Sequence, residues 1–182
     1  MKKKKLVIFG SRSFIGRNII ESYNHEFNII PINSDIINLE EKPNKNIKKH
    51  IPNNSTIIFL AFKTKHKKIS NQNLLENFEI LLNFLKVIEI VKPKKIIFFS
   101  SISVYGDNNN YKNLDENSEV NPDNDYGKAK VICETLLFSN SKKLNFKLLI
   151  VRIPRIFGKY DYKNNYGPTK FLYDLKYKKN IH

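Results

Sequence analysis

The chain has 182 residues, a length that suits a single domain with a full α/β core, and a formal net charge of +15. The charge comes from 28 lysines and only 4 arginines, beside 25 asparagines, 25 isoleucines and two alanines; this is typical of an AT-rich genome and disfavours a nucleic-acid partner. The single Cys133 excludes an internal disulfide and a multi-cysteine metal site, and no apolar run approaches the ~20 residues of a membrane span, so we expect a cytoplasmic protein with no membrane contact.

Five short runs rich in isoleucine, valine and phenylalanine predict strands. They cover residues 6–9, 28–32, 56–61, 95–100 and 147–152. Most are apolar on both faces, as parallel strands are when helices cover each side of a sheet.

Helical patterns lie between these runs. A short helix is expected after Gly10, a long one over 74–91 ending before Pro93, and another over 126–138. The polar segment 107–125 predicts a surface loop. Alternating strands and helices predict an α/β fold, a doubly wound parallel sheet with helices on both faces.

The segment LVIFGSRSFIGRNII, residues 6–20, joins the first strand to the first helix. Gly10 permits a sharp turn, Gly16 permits close helix–strand packing, and Ser13 is small enough to leave room for a pyrophosphate. The helix start would favour an anion. From these residues alone, a phosphate-binding turn and an ordinary strand–helix junction both stay open.

Two later segments add chemistry. Ser101 lies at the end of the fourth strand, and Tyr126 and Lys130 lie four residues apart on one helical face. An ammonium group one turn from a phenol lowers the phenol's pKa, which suits proton transfer at neutral pH. A serine hydroxyl could hold the substrate oxygen. The alternative is a surface helix pair and a serine that merely closes a strand.

At this point the sequence resembles the extended short-chain dehydrogenase/reductase family, the NAD(P)-dependent epimerases and dehydratases of nucleotide sugars. Six segments, in order along nearly the whole chain, carry the resemblance: FGSRSFIG, LAF at 60–62, NFEILLNFL from Asn77, SSISVYG, YGKAKVICE and VRIPRIFG. The second, middle glycine of the family's turn is replaced by Ser13.

The resemblance implies a Rossmann fold, an NADP or NAD cofactor and a nucleotide-diphosphate sugar substrate. It makes Ser101, Tyr126 and Lys130 the catalytic residues. The implied cofactor-binding residues are Gly10, Arg12, Ser13, Phe14, Ile15, Gly16, Asn33, Leu60, Ala61, Phe62, Asn77, Tyr126, Lys130 and Pro154. The backbone around Pro154 would lie against the nicotinamide. Family members often form homodimers, here through helices 74–91 and 126–138.

Departures from the family pattern refine the expectation. Relatives that prefer NAD carry an acidic residue at the position of the neutral Asn33 in this chain, whereas the nearest acidic residue here, Asp35, comes slightly later. Arg12 could pair with a 2′-phosphate. The turn is also similar to NADPH-using GDP-fucose synthases and dTDP-4-dehydrorhamnose reductases. NADP is therefore the preferred prediction, and a solvated Arg12 is the alternative.

Ile102 and Ser103 occupy the places of the acid/base pair in sugar 4,6-dehydratases, which leaves epimerisation or carbonyl reduction as the expected reaction.

The chain is expected to be one dinucleotide-binding domain over 1–182, in which about 155–182 begin a substrate-binding region that the family continues. It would be a fragment or a truncated gene product, or a partner would supply the rest. The alternative function is a catalytically idle dinucleotide-binding or interaction domain.

Overall fold

Five parallel strands form the centre of the molecule in the computed structural model, which describes residues 3–63, 70–106, 113–161 and 167–177. The strands are β1 (Lys5–Phe9), β2 (Asn28–Ile32), β3 (Thr56–Phe59), β4 (Lys95–Ser101) and β5 (Lys147–Ile153). Their order across the sheet is β2-β1-β3-β4-β5. All five predicted strands are confirmed. β3 ends two residues early because the chain leaves the sheet after the Leu60 amide bonds to the Phe9 carbonyl at 2.9 Å.

The helices are α1 (Phe14–Tyr23), α2 (Ser70–Val91), α3 (Asp125–Leu144) and α4 (Gly167–Tyr177), with 3₁₀ helices at Lys45–Lys49 and Ile102–Val104. α2 begins at Ser70 rather than at residue 74. α3 continues to Leu144, beyond the predicted end at 138, and stops at Asn145, which adopts a left-handed conformation with φ of 55°. Asparagine tolerates that conformation better than most residues, which makes it a suitable helix end.

Helices cover both faces of the sheet, as predicted. The larger core lies on the α2 and α3 side, where Phe59 and Phe84 stack with ring centres 3.9 Å apart. The smaller core on the opposite face combines Ile8 and Ile58 with Ile19 and Ile20 of α1. The fold is the predicted doubly wound, Rossmann-like α/β fold.

The polar segment expected to be a loop contains no helix or strand between residues 113 and 124, while its residues 107–112 lie outside the described part of the chain. Among the described helices, none combines the length and apolar character needed to cross a bilayer.

Candidate active site

The carboxyl ends of β1 and β3 lie side by side at the point where the strand order reverses, because the chain passes from β1 to β2 on one side and to β3 on the other. Ligands of open parallel sheets bind at such a crevice. Gly10, directly after β1, has φ of +81°, and a Cβ on it would lie 2.9 Å from the Ala61 nitrogen. Only glycine combines this conformation with this close approach.

The first turn of α1 is equally tight. A Cβ on Gly16 would lie 2.7 Å from the Gly10 carbonyl oxygen. Ser13 is the N-cap of α1, and its Oγ accepts a hydrogen bond from the Gly16 amide at 3.1 Å. Serine is a favoured N-cap residue, so this role could have been predicted from sequence. Ser13 therefore both replaces a glycine and orders the helix start.

A cavity of about 230 Å³ opens above these strand ends. It is lined by six of the predicted cofactor-binding residues: Gly10, Arg12, Ser13, Asn33, Ala61 and Phe62. Apolar side chains of Phe9, Ile32, Ile37 and Ile80 also line it. Apolar surface combined with polar side chains is the usual character of a small-molecule site.

The other predicted cofactor-binding residues are not among those that line this cavity. Phe14, Ile15 and Gly16 form the first turn of α1, and Leu60 links β3 to the cavity wall. Pro154 follows Ile153, which pairs with Ser101 in the sheet, so Pro154 lies at the carboxyl end of the edge strand β5. Asn77, Tyr126 and Lys130 have separate environments, described next.

Two asparagines of α2 hold the loops that form the cavity walls. The buried Asn77 accepts a hydrogen bond from the Lys63 amide at 2.7 Å and donates one to the Lys63 carbonyl at 3.0 Å. Asn83 donates to the Leu39 carbonyl at 3.0 Å. Asn77 therefore shapes the cavity by positioning the backbone of residue 63.

Lys63 joins three segments at the cavity edge. Its Nζ lies 3.1 Å from a carboxylate oxygen of Glu40 and 3.2 Å from one of Glu76. Partial burial alone would lower the pKa of Lys63, but its hydrogen bonds to Glu40 and Glu76 outweigh that effect and raise it. The loop after β2, the loop after β3 and α2 are thus tied together on one side of the cavity.

Arg12, which lines the cavity, forms an ion pair with Asp35, with Nη2 and Oδ2 2.5 Å apart and both side chains largely exposed. Asn33 accepts a hydrogen bond from the Asp35 amide at 2.9 Å, which turns the chain so that the carboxylate reaches Arg12. In the sequence, Asp35 lies slightly after the position at which NAD-preferring relatives carry their acidic residue. In the structure Asp35 is the partner of Arg12, which is therefore not simply solvated.

Ser101 ends β4 and caps the following 3₁₀ helix. Its Oγ accepts a hydrogen bond from the Ser103 amide at 3.1 Å and lies 3.2 Å from the Ser103 Oγ. The first turn of α3 packs directly on this segment, because a Cβ on Gly127 would lie only 2.3 Å from the Ser103 carbonyl oxygen. Gly127 thereby brings the helix that carries Tyr126 against the turn that carries Ser101.

Lys130 is buried beside Tyr126, with its Nζ 5.5 Å from the centre of the tyrosine ring. The ammonium donates a hydrogen bond to the Phe99 carbonyl at 2.7 Å and lies 3.9 Å from the centre of the Phe62 ring. Burial lowers the pKa of Lys130 to about 8, although nearby Cys133 and Glu134 oppose this shift. The amine can therefore gain or lose a proton close to neutral pH.

Below this pair lies a polar network that the sequence did not predict. Glu134 binds the Arg152 guanidinium through both carboxylate oxygens, at 3.2 and 2.8 Å, and accepts a hydrogen bond from the Ser100 hydroxyl at 2.5 Å. Arg152 also donates to the Tyr105 hydroxyl at 2.9 Å. All four residues lie in the segments that resemble the family, but they are far apart in sequence, so the sequence alone does not predict their contacts.

Cys133, on the same helix, is buried in the larger core, and burial raises the pKa of its thiol to about 12. It serves as a packing residue.

Comparison with known proteins identifies the family. Residues 6–176 match the NAD dependent epimerase/dehydratase family, and the chain belongs to it. The resemblance seen in the sequence is thereby confirmed.

Individual relatives agree with this membership. The N-acetyl-alpha-D-glucosaminyl-diphospho-ditrans,octacis-undecaprenol 4-epimerase of Escherichia coli O157:H7 is 28% identical over 178 residues, covering 91% of this chain and 53% of the relative. UDP-N-acetylglucosamine 4-epimerase from Methanobrevibacter ruminantium M1, solved with UDP-N-acetylmuramic acid, superposes with a TM-score of 0.78 at 21% identity, covering 97% of this chain and 64% of that one.

UDP-glucuronic acid 4-epimerase from Bacillus cereus, solved with NAD, gives a TM-score of 0.76 at 16% identity, covering 94% of this chain and 63% of that one. At these identities the solved structures establish the shared fold. The chain spans between about half and two thirds of the length of these three relatives.

Proposed function

We propose that this chain binds a nicotinamide dinucleotide at the crevice between β1 and β3 and acts as an epimerase or reductase of a nucleotide-diphosphate sugar. The observation that carries the proposal is the placement of the Lys130 ammonium 5.5 Å from the Tyr126 ring, on a helix packed against the Ser101 turn. The names of the relatives support the substrate class, since they act on nucleotide- or polyprenyl-diphosphate sugars.

The residues at the crevice fit a dinucleotide. Gly10 and Gly16 leave space that a Cβ would fill, and the amide groups at the start of α1 provide donors beside the positive end of the helix dipole. The apolar wall around Ile37 and Ile80 suits a flat base. Gly10, Ser13 and the first turn of α1 would hold the diphosphate, and Asn33, Ala61 and Phe62 would lie beside the adenosine half.

Each catalytic residue has a separate task in this proposal. The bound dinucleotide supplies hydride donation and acceptance. Tyr126 would transfer a proton to or from the sugar oxygen at its hydroxyl, and the Lys130 ammonium would stabilise the phenolate. Ser101 would hold the same sugar oxygen through its hydroxyl. The capping bonds of Ser101 to residue 103 hold that hydroxyl at the strand end.

The preferred cofactor in this proposal is NADP. Arg12 lies at the cavity edge with its guanidinium outside the protein core, where it could receive a 2′-phosphate in a charge-assisted pair. Asp35 is a competing partner, so a 2′-phosphate would have to replace a carboxylate that Arg12 already holds.

Epimerisation or carbonyl reduction is proposed rather than dehydration because Ile102 and Ser103 offer no carboxylate for acid/base elimination. The second candidate, a catalytically idle dinucleotide-binding domain, is favoured by one observation: the Phe62 ring covers the Lys130 ammonium.

The deciding experiment combines binding and turnover. NADPH and NADH are titrated by fluorescence, and NADP(H) is then incubated with UDP-, GDP- and dTDP-sugars while nicotinamide absorbance and product sugars are followed. Turnover that is lost in Tyr126→Phe with retained cofactor binding supports the enzyme. Cofactor binding without turnover on any sugar supports the idle domain, and absence of binding contradicts both.

A further inference from the structure

Phe62 touches both the cavity and the predicted catalytic pair. It follows β3 and precedes Lys63, whose backbone is held by Asn77, and it lines the cavity. Its ring lies 3.9 Å from the Lys130 Nζ and meets the Tyr126 ring edge-on, with centres 5.6 Å apart and planes at 89°.

The Phe62 side chain both lines the cavity and contacts the Lys130 ammonium. Ser101, Tyr126 and Lys130 are not among the described residues that line it. A molecule that fills the cavity beside Gly10 and Ala61 is therefore separated from the Lys130 ammonium by the phenylalanine side chain.

We infer that Phe62 is a partition between the adenosine side of the site and the Tyr126–Lys130 pair, and that its displacement admits the second half of a dinucleotide. This inference rests on the proposed dinucleotide site. In this inference Phe62 selects between short adenine nucleotides, which would bind without movement of the ring, and full dinucleotides, which would require the ring to move.

The other contacts of Lys130 explain why Phe62 is the neighbouring side chain that moves. The ammonium also contacts the Phe99 carbonyl and the Phe98 ring, 4.8 Å from its centre, and both belong to strand β4, which lies between β3 and β5. Phe62 belongs to a loop and is only partly buried. Its movement leaves Lys130 held in place by β4 while one side of the ammonium becomes accessible.

The test uses Phe62→Ala and Phe62→Leu, with Phe138→Ala as the matched control, because Phe138 also contacts a lysine, Lys142, at 4.3 Å but lies exposed on α3. The first measurement is the acetylation rate of Lys130, followed by mass spectrometry in the absence of nucleotide. We expect a rise of about tenfold in Phe62→Ala, a smaller rise in Phe62→Leu and none in Phe138→Ala, since loss of one cation–π wall corresponds to about that factor.

The second measurement compares dissociation constants for ADP and for NADPH and NADH. In Phe62→Ala the affinity for NADPH and NADH should rise several-fold relative to the affinity for ADP, because only the dinucleotides require the ring to move. Unchanged Lys130 acetylation, or an equal change for ADP and dinucleotide, would overturn the partition. If the wild type and both Phe62 variants bind no nucleotide, the proposed dinucleotide site and the inferred role of Phe62 as a partition are both wrong. If Lys130 acetylation still rises in those variants, Phe62 only shields Lys130.

Discussion

Glu134 of α3 and Arg152 of β5 form a two-armed ion pair in which the Glu134 side chain is 9% exposed and the Arg152 side chain 20% exposed. The pair links three elements, because the Ser100 hydroxyl of β4 donates to the same carboxylate. Tyr105 extends it to the loop before α3 through a bond from its hydroxyl to the Asp115 carbonyl at 2.7 Å. It thereby fixes the helix that carries Tyr126 relative to the strand that carries Ser101.

Removing one partner of this pair should be costly. Glu134→Gln leaves a guanidinium in a mostly buried place without its carboxylate, and we expect the free energy of unfolding to fall by about 3 kcal/mol. Urea denaturation measures it. The double variant Glu134→Met/Arg152→Met should recover much of the loss, since no uncompensated charge remains. A loss below the error of the measurement in Glu134→Gln would contradict the structural role.

The buried Lys130 predicts an unusual pH dependence. Its pKa is about 8 in the folded chain, against 10.5 as the ordinary value, so between these pH values the unfolded state binds more protons and stability rises with pH. Relative to Lys130→Met, the wild type should gain about 2 kcal/mol in free energy of unfolding between about pH 7 and pH 9.5. The other lysines contribute equally to both proteins, so their contributions cancel when the two free energies of unfolding are subtracted. If the difference in the free energy of unfolding between the two proteins did not change over that pH range, Lys130 would be hydrated.

Even a small substitution at Gly127 should have a large effect. In Gly127→Ala the new methyl would meet the Ser103 carbonyl 2.3 Å away, so α3 must shift away from the Ser101 turn. We expect a loss of about 1–3 kcal/mol in the free energy of unfolding and a strong loss of any sugar turnover. Lys128→Ala, at the neighbouring exposed position, is the control. Equal behaviour of the two variants would argue that α3 can shift without consequence.

The Arg12–Asp35 pair makes a prediction about cofactor choice. Arg12→Ala should weaken NADP binding about tenfold with little effect on NAD, since only the 2′-phosphate needs the guanidinium. Asp35→Asn should strengthen NADP binding, because it frees Arg12 and removes a repelling carboxylate. Isothermal titration calorimetry with both cofactors tests this. Tighter wild-type binding of NAD than of NADP would refute the preference.

The expected homodimer has a candidate surface on α2 and α3. Leu75, Phe78 and Leu82 recur at helical spacing on α2 and are 68%, 38% and 38% exposed, and Phe138 of α3 is 54% exposed. Leu75→Lys/Leu82→Glu should therefore convert a dimer to a monomer in analytical ultracentrifugation. Leu172→Glu, on the exposed side of α4, should leave the dimer intact. A monomeric wild type at high concentration would contradict the prediction.

Local sequence patterns were enough for the frame of the molecule. Strands such as Asn28–Ile32 were predicted to the residue, because continuous apolar runs between turn residues depend on neighbours in sequence. The helix ends were less predictable. α2 begins at Ser70, ahead of the first regularly spaced apolar residue, and α3 continues past the apolar pattern to a left-handed asparagine.

Spacing in the sequence also singled out Tyr126 and Lys130, since residues four apart on one helix must be neighbours. The contacts that the site residues make with distant parts of the chain were decided only by the tertiary structure. The Phe62 ring over Lys130, the Asp35 carboxylate on Arg12 and the Arg152 guanidinium on Glu134 join residues 68, 23 and 18 positions apart. Such contacts depend on which strand ends the sheet order brings together, and no local pattern encodes that order.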